Sequence, residues 1–253
     1  MNLTRKQFLK LTGLTTVAGA GGMAAVSILA KPHGENKGEK PKKRWGLVID
    51  MSKCEDGCNK CTLACHDAHN VPDFKNPKDE IKWIWKEKFH HLFPDQSSQF
   101  ENEEIQEKPF LTLCNHCENP PCTRVCPTQA TFKRKSDGIV MMDFHRCIGC
   151  RFCMAGCPYG SRSFNYRDPR THIEKINPGF PTRTKGVVEK CNLCEERIAK
   201  GKIPVCSEVC EHGAITFGDL NDPQSPARQA MIGKRTLRRK AELGTSPSVF
   251  YII

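Results

Sequence analysis

The chain has 253 residues, of which 38% are hydrophobic and 16 are cysteine, and its formal charge is +11. That length suits one domain or two small intertwined ones, and the thin apolar content argues against a large oily core and for stabilisation by metals or cross-links. So basic a chain would suit nucleic acid, but no nucleic-acid motif is present, and the cysteine pattern accounts for the excess charge.

Residues 1–30 have the layout of a signal peptide: a charged start, an apolar middle and a polar exit. Thr4-Arg5-Lys6-Gln7-Phe8-Leu9-Lys10 resembles the twin-arginine export motif, with lysine in the second arginine position. Gly13, Gly19, Gly21 and Gly22 weaken the following stretch as a membrane span, and an uncleaved anchor is the alternative. A polar, basic linker covers residues 31–44, and the remaining 45–253 form the main domain.

Trp45-Gly-Leu-Val-Ile-Asp50 reads as a strand. The first cysteine quartet, Cys54, Cys58, Cys61 and Cys65, follows it. Residues 66–113 hold Ile81-Lys-Trp-Ile-Trp85, Phe89 and Phe93, expected to pack as a lid over a metal site, with a docking patch as the alternative. The second quartet is Cys114, Cys117, Cys122 and Cys126, with Pro127 after it. Ala130–Asp143 reads as a hairpin around an Asp137-Gly138 turn. Cys147, Cys150, Cys153 and Cys157 form the third quartet, followed by Pro158. The loop 158–190, rich in Arg, Pro and Gly, is expected to wrap a metal site. Cys191, Cys194, Cys206 and Cys210 are the fourth quartet. Gly213–Phe217 and Ser248–Ile253 read as strands, and Ala227–Lys240 as a helix with a basic face.

The third quartet has the C-x2-C-x2-C-x3-C-P spacing of bacterial ferredoxins. Cysteines at every third residue curl a loop around one face of an iron–sulfur cube, and the fourth thiol points away to a second cube. The fourth cysteine is expected to enter a short helix, and the proline after it, Pro127 or Pro158, to turn the chain and fix the helix start. Zinc prefers two separated C-x2-C hairpins, and thiols two or three residues apart bridge poorly as disulfides. No C-x-x-C-H occurs, so covalent haem is not expected. His116 and His145 lie in or beside the loops as neighbours rather than ligands. Sixteen cysteines without remainder predict four 4Fe–4S clusters. Each adds about −2, so four bring the chain near a charge of about +3, and loss of Arg5, Lys6 and Lys10 brings it close to neutral. Clusters assemble in the reducing cytoplasm, which suits an export route that carries folded proteins.

Four quartets in this order resemble the four-cluster iron–sulfur subunits of membrane-bound oxidoreductases that serve dimethyl sulfoxide, polysulfide, tetrathionate and formate. The resemblance spans residues 45–253. Cys54-Glu-Asp-Gly-Cys58, Ala68-His-Asn-Val-Pro72, Cys126–Arg134, Cys147-Ile-Gly-Cys-Arg-Phe-Cys153 and Lys185-Gly-Val-Val-Glu-Lys-Cys191 look like the periplasmic iron–sulfur subunit of the sulfite-reduction-associated complex. The resemblance implies an α+β fold of two interlocked bacterial-ferredoxin-like modules with short strands, short helices and long loops. The inner module would span about 110–160, and the outer one would combine the quartets at 54–65 and 191–210. It also implies shared ligand sets: Cys54, Cys58, Cys61 and Cys210; Cys65, Cys191, Cys194 and Cys206; Cys114, Cys117, Cys122 and Cys157; Cys126, Cys147, Cys150 and Cys153. The implied role is a non-catalytic electron relay on the periplasmic side, with no small-molecule substrate of its own. Its implied partners are an integral membrane quinone-interacting subunit and either a periplasmic multihaem cytochrome or a molybdenum catalytic subunit. A stand-alone iron–sulfur enzyme and a zinc scaffold are the readings from other classes.

Overall fold

The structure, a computed structural model, describes residues 42–98, 100 and 103–253. The expected signal peptide and residues 31–41 of the linker lie outside the described residues. Among the described residues, no helix is long and apolar enough to cross a membrane. The strands are β1 Trp45–Asp50, β2 Ile84–Lys88, β3 Pro109–Leu113, β4 Thr131–Lys133, β5 Val140–Met142, β6 Ser163–Phe164, β7 Val188–Glu189, β8 Ile215–Asp219, β9 Thr236–Leu237 and β10 Val249–Ile252. The helices are α1 Lys60–His69, α2 Phe89–Leu92, α3 Glu103–Glu107, α4 Pro121–Arg124, α5 Phe152–Ala155, α6 Glu195–Ile198, α7 Val205–Glu208 and α8 Pro226–Met231. Short strands, short helices and small sheets make this an α+β fold.

The largest sheet has the order β8-β1-β10-β9. Strand β1 pairs antiparallel with β8 and parallel with β10, with Ile49 opposite both Ile215 and Tyr251. A central strand is covered on both faces, which is why β1 reads as a continuous apolar run. Leu47 and Ile49 enter the main core, while Val48 joins Leu220, Ala227 and Ile252 on the other face, beneath α8. Helix α8 starts cleanly because Pro226 occupies its first turn and the Ser225 hydroxyl accepts from the Arg228 N–H. It ends at Met231, well short of Lys240. Gly233 then turns the chain at φ 68°, and β9 follows, so the helix expected over Ala227–Lys240 is a short helix plus an edge strand.

The β4–β5 hairpin forms as expected, with Gly138 in the left-handed region and Arg134 N–H donating to the Ile139 carbonyl. Ile81, Trp83, Ile84, Trp85, Phe89 and Phe93 are all buried. The β2–β3 hairpin carries them into the core, where Phe89, Phe93, Phe110 and Tyr251 pack ring against ring. Burial therefore favours the lid over the docking patch.

Candidate metal centres

In all four quartets the third cysteine lies in a helix: Cys61 in α1, Cys122 in α4, Cys153 in α5 and Cys206 in α7. Cys126 and Cys157 come just after one-turn helices, and Pro127 and Pro158 stand in the turns beyond. Those two prolines thus close a turn and do not start a helix, a correction to the expectation from sequence. The helix starts belong instead to Pro121, in the first turn of α4, and Pro204, just before α7.

Left-handed residues recur in the loops: His116, Gly149, Arg151, Leu193 and Cys194 all have positive φ. For a leucine this costs about 1 kcal/mol or more, a strain typical of functional sites. Alternating right- and left-handed backbone turns successive N–H groups inward, as anion-binding nests do. The result is visible at the sulfurs. Leu193 N–H donates to Cys191 Sγ (3.4 Å), Val205 N–H to Cys194 Sγ (3.4 Å) and Ala214 N–H to Cys210 Sγ (3.3 Å). At Gly149, φ is 70° and an added Cβ would lie 2.4 Å from the Gly186 carbonyl oxygen, so only glycine fits.

Two pockets gather thiols of the second and third quartets, and the thiols of the first and fourth are electrostatic neighbours. One pocket of about 310 Å³ is lined by Cys114, Cys117, Cys122 and Cys157. Another, of about 260 Å³, is lined by Cys126, Cys147, Cys150 and Cys153. Burial pushes up the Cys54 and Cys61 thiols, and both also feel Cys58 and Cys210. Burial likewise pushes Cys65 far up, with Cys191, Cys206 and Cys194 adding to it. Cys117, Cys191 and Cys194 are each pushed up to about 12, chiefly by burial. Cys126 goes the other way: burial would raise it, but N–H groups of Thr131, Ala130 and Thr128 and the Thr128 hydroxyl hold it down.

Neighbouring groups also touch electrostatically. After burial, Cys61 contributes to the rise of Cys65 and Cys206, Cys114 to that of Cys191, and Cys122 to that of Cys153. These three links put the groups in a row, from Cys54/58/61/210 through Cys65/191/194/206 and Cys114/117/122/157 to Cys126/147/150/153. Sheet topology explains the first pair. Cys54 leaves β1 at the end where β8 begins, just after Cys210.

None of the sixteen cysteines is in a disulfide. Eight of the sixteen thiols are buried, and thiols that line shared pockets with N–H groups aimed at sulfur fit a cationic, thiolate-binding centre such as an iron–sulfur cluster. His69, Cys194 and Glu196 place donor atoms within 4.8 Å of one another. Cys194 belongs to the second group of the row, so this is its surroundings and not a separate site.

The 4Fe–4S dicluster domain family matches residues 107–220. Across 98% of this chain and 97% of the relative, the sequence is 38% identical to iron–sulfur subunit 1 of the Hdr-like menaquinol oxidoreductase of Archaeoglobus fulgidus. The iron–sulfur cluster-binding subunit of menaquinone reductase from Nitratidesulfovibrio vulgaris is 35% identical over 83% of this chain and 88% of its own. The B subunit of polysulfide reductase from Wolinella succinogenes is 36% identical over 83% of this chain and 94% of its own. The chain belongs to the family of iron–sulfur subunits of oxidoreductase complexes.

Several residues near the thiols have no spacing that marks a role of their own, although His69, Glu189 and Lys190 fall within the motifs at 68–72 and 185–191. Glu189 and Arg183, both fully buried, form an ion pair of 2.6 Å. Glu189 also accepts from Trp83 Nε1 (2.9 Å) and Asn165 Nδ2 (2.5 Å). His69 Nε2 donates to Glu196 Oε1 (3.0 Å) and the ring stacks on Trp83. Arg162 and Lys190 are buried beside ligand candidates, with Lys190 Nζ donating to the Cys191 carbonyl (2.5 Å). Arginine and lysine in a loop read as solvated, and their burial depends on contacts far apart in sequence. His116 is buried and receives the Val140 N–H at Nδ1, while His145 is exposed.

Proposed function

We propose that this chain is the non-catalytic electron relay of an extracytoplasmic oxidoreductase complex, passing single electrons along four 4Fe–4S clusters. The reading gives each of the four thiol groups one cluster, and treats the chain as two interlocked ferredoxin-like modules in residues 45–253. The observation that carries it is a pair of cysteine-lined pockets, each drawing thiols from both the second and the third quartet. Adjacent centres of this kind serve stepwise transfer, which a substrate site does not need. An open iron would require a missing thiol, and all sixteen positions are cysteine.

On this reading one end of the row faces an integral membrane subunit that interacts with quinone, and the other a periplasmic multihaem cytochrome, in dissimilatory sulfur metabolism. The sequence motifs at 54–58, 68–72, 126–134, 147–153 and 185–191 support that complex, and a relative named for a menaquinol oxidoreductase that matches nearly the whole chain supports its quinone-interacting partner alone. A second reading replaces the cytochrome with a molybdenum catalytic subunit, and the relative named for polysulfide reductase favours it. The Thr4–Lys10 motif supports export by the twin-arginine route with clusters already in place.

Anaerobic purification of the intact complex tests these statements. About sixteen irons and sixteen sulfides per chain are expected from four cubes; zinc without sulfide would refute the relay. Haem in a co-purifying subunit selects the first reading, and molybdenum the second. The N-terminal sequence of the mature chain tests the export address.

A further inference from the structure

Three guanidinium groups are buried among the described residues, those of Arg162, Arg183 and Arg239; Arg239 donates to the Tyr159 carbonyl, and the other two are compensated differently. Arg183 has Glu189. Arg162 is 4% exposed, and its partners among the described residues are Cys122 Sγ (3.0 Å), Thr131 Oγ1 (2.7 Å) and Met142 Sδ (3.8 Å). None is a carboxylate. The Thr131 hydroxyl gives its own hydrogen to the Met141 carbonyl (2.8 Å), so its lone pair is held towards Arg162. The guanidinium is therefore locked in place, aimed at a sulfur.

A buried arginine cannot shed its proton, and a buried charge without a counter-charge is costly. Burial works against the charged form of Arg162, and Cys122, Cys153 and Cys114 work for it, so that its pKa is raised. Those cysteines come from two adjoining groups of the row. The counter-charge must come from sulfur, and it is fully present only when the thiols are ionised, as metal ligands are. A cube with four thiolates carries about −2 when oxidised and about −3 when reduced. The added electron makes the attraction to a fixed cation stronger.

We infer that Arg162 is the counter-cation of the cluster held by Cys114, Cys117, Cys122 and Cys157, and that it sets that cluster's reduction potential above the value the thiolates alone would give. The step is a one-electron reduction with no proton moved. Arg162 is a positioning residue: it binds no iron, and acts through the Cys122 sulfur by charge and hydrogen bond. The inference rests on the cluster assignment proposed above.

The test is a redox titration of the loaded full-length chain by electron paramagnetic resonance, with iron and sulfide counted in each sample. In Arg162→Met, the cluster held by Cys114, Cys117, Cys122 and Cys157 is expected to fall furthest in potential, the adjoining cluster that includes Cys153 by less, and the two others to stay. At the wild-type midpoint the first cluster's oxidised-to-reduced ratio should rise about tenfold, which is about 59 mV for one electron. Arg162→Gln, neutral but still a donor, should move it nearly as far, and Arg162→Lys, which keeps the charge, by less than about threefold. The cation acting on Cys54 is the partly exposed Lys86, so the cluster at that end serves as an internal control. Full iron with every ratio within about twofold of wild type would overturn the inference. So would a lysine variant shifted as far as the methionine one, since shape rather than charge would then be at work. If both neutral variants lose one cluster and the lysine variant keeps it, the counter-charge is needed for binding and the inference stands; loss in all three overturns it. A wild-type chain without iron and sulfide would instead remove the cluster assignment itself.

Discussion

Replacing Glu189 by leucine should be among the most damaging changes available outside the cysteines. The side chain is fully buried and accepts from Arg183, Trp83 and Asn165 at once. Removing it leaves the Arg183 guanidinium in the core with only the carbonyls of His69, Asn70 and Pro181 as acceptors. Breaking a buried ion pair from one side costs about 3–5 kcal/mol. With a guanidinium m-value of about 4 kcal/mol/M for a chain of this size, the midpoint should fall by about 1 M. Arg183→Met combined with Glu189→Leu should recover about half of that, because two apolar side chains replace the pair without a stranded charge. The remaining loss is the orphaned Trp83 N–H and the freed carbonyls, about 1–3 kcal/mol. Far-UV circular dichroism of the loaded protein in guanidinium, at one incubation time under anaerobic conditions, reads both shifts. A single variant within about 0.2 M of wild type, or a double variant no better than the single, would refute the electrostatic account and leave packing as the explanation.

Cys157→Ser should alter the same cluster signal as Cys117→Ser and a different one from Cys150→Ser, with about one to four irons lost per chain. If its spectrum instead follows Cys150→Ser, the third quartet keeps its own fourth ligand and the proposed sharing is wrong. Gly149→Ala places a Cβ 2.4 Å from the Gly186 carbonyl oxygen at φ 70°. Backbone strain and the clash together should cost about 2 kcal/mol, read as a midpoint lower by about half a molar in guanidinium; an unchanged midpoint would show that the 147–153 loop shifts freely.

The parts of the fold that sequence made legible are those governed by local chemistry. The β4–β5 hairpin follows from an Asp-Gly turn between apolar residues, and β1 from a run of branched and apolar side chains. The quartets announce themselves because one loop must present several thiols within a few residues. The prolines after Cys126 and Cys157 misled because a proline suits a turn and a helix start equally well, and only the position of the preceding one-turn helix separates the two. Ala227–Lys240 has helical composition, but Gly233 and the open edge of β10 draw its second half into a strand. The buried ions were out of reach for another reason. Arg162 meets Cys122 and Thr131 across 40 and 31 residues, and Arg183 meets His69 across 114. No short window of sequence contains these contacts, and although Arg183 and Glu189 lie close together in sequence, their burial depends on distant His69 and Trp83.

Strand β1 lies between β8 and β10, so the sheet that brings the Cys54 end of the chain to the Cys210 end is closed by residues 249–252. This has a consequence for biosynthesis. The thiol groups within residues 114–157 can gather while the chain is still emerging, since their partners are near in sequence. On the ligand sharing proposed above, those that combine the first and fourth quartets would wait until translation is almost finished, with a large loop to close. Until then both edges of β1 are bare, a surface prone to mispairing. Maturation should therefore run from the middle of the chain outward, and a prematurely ended polypeptide would stall half filled, with an open strand marking it for quality control.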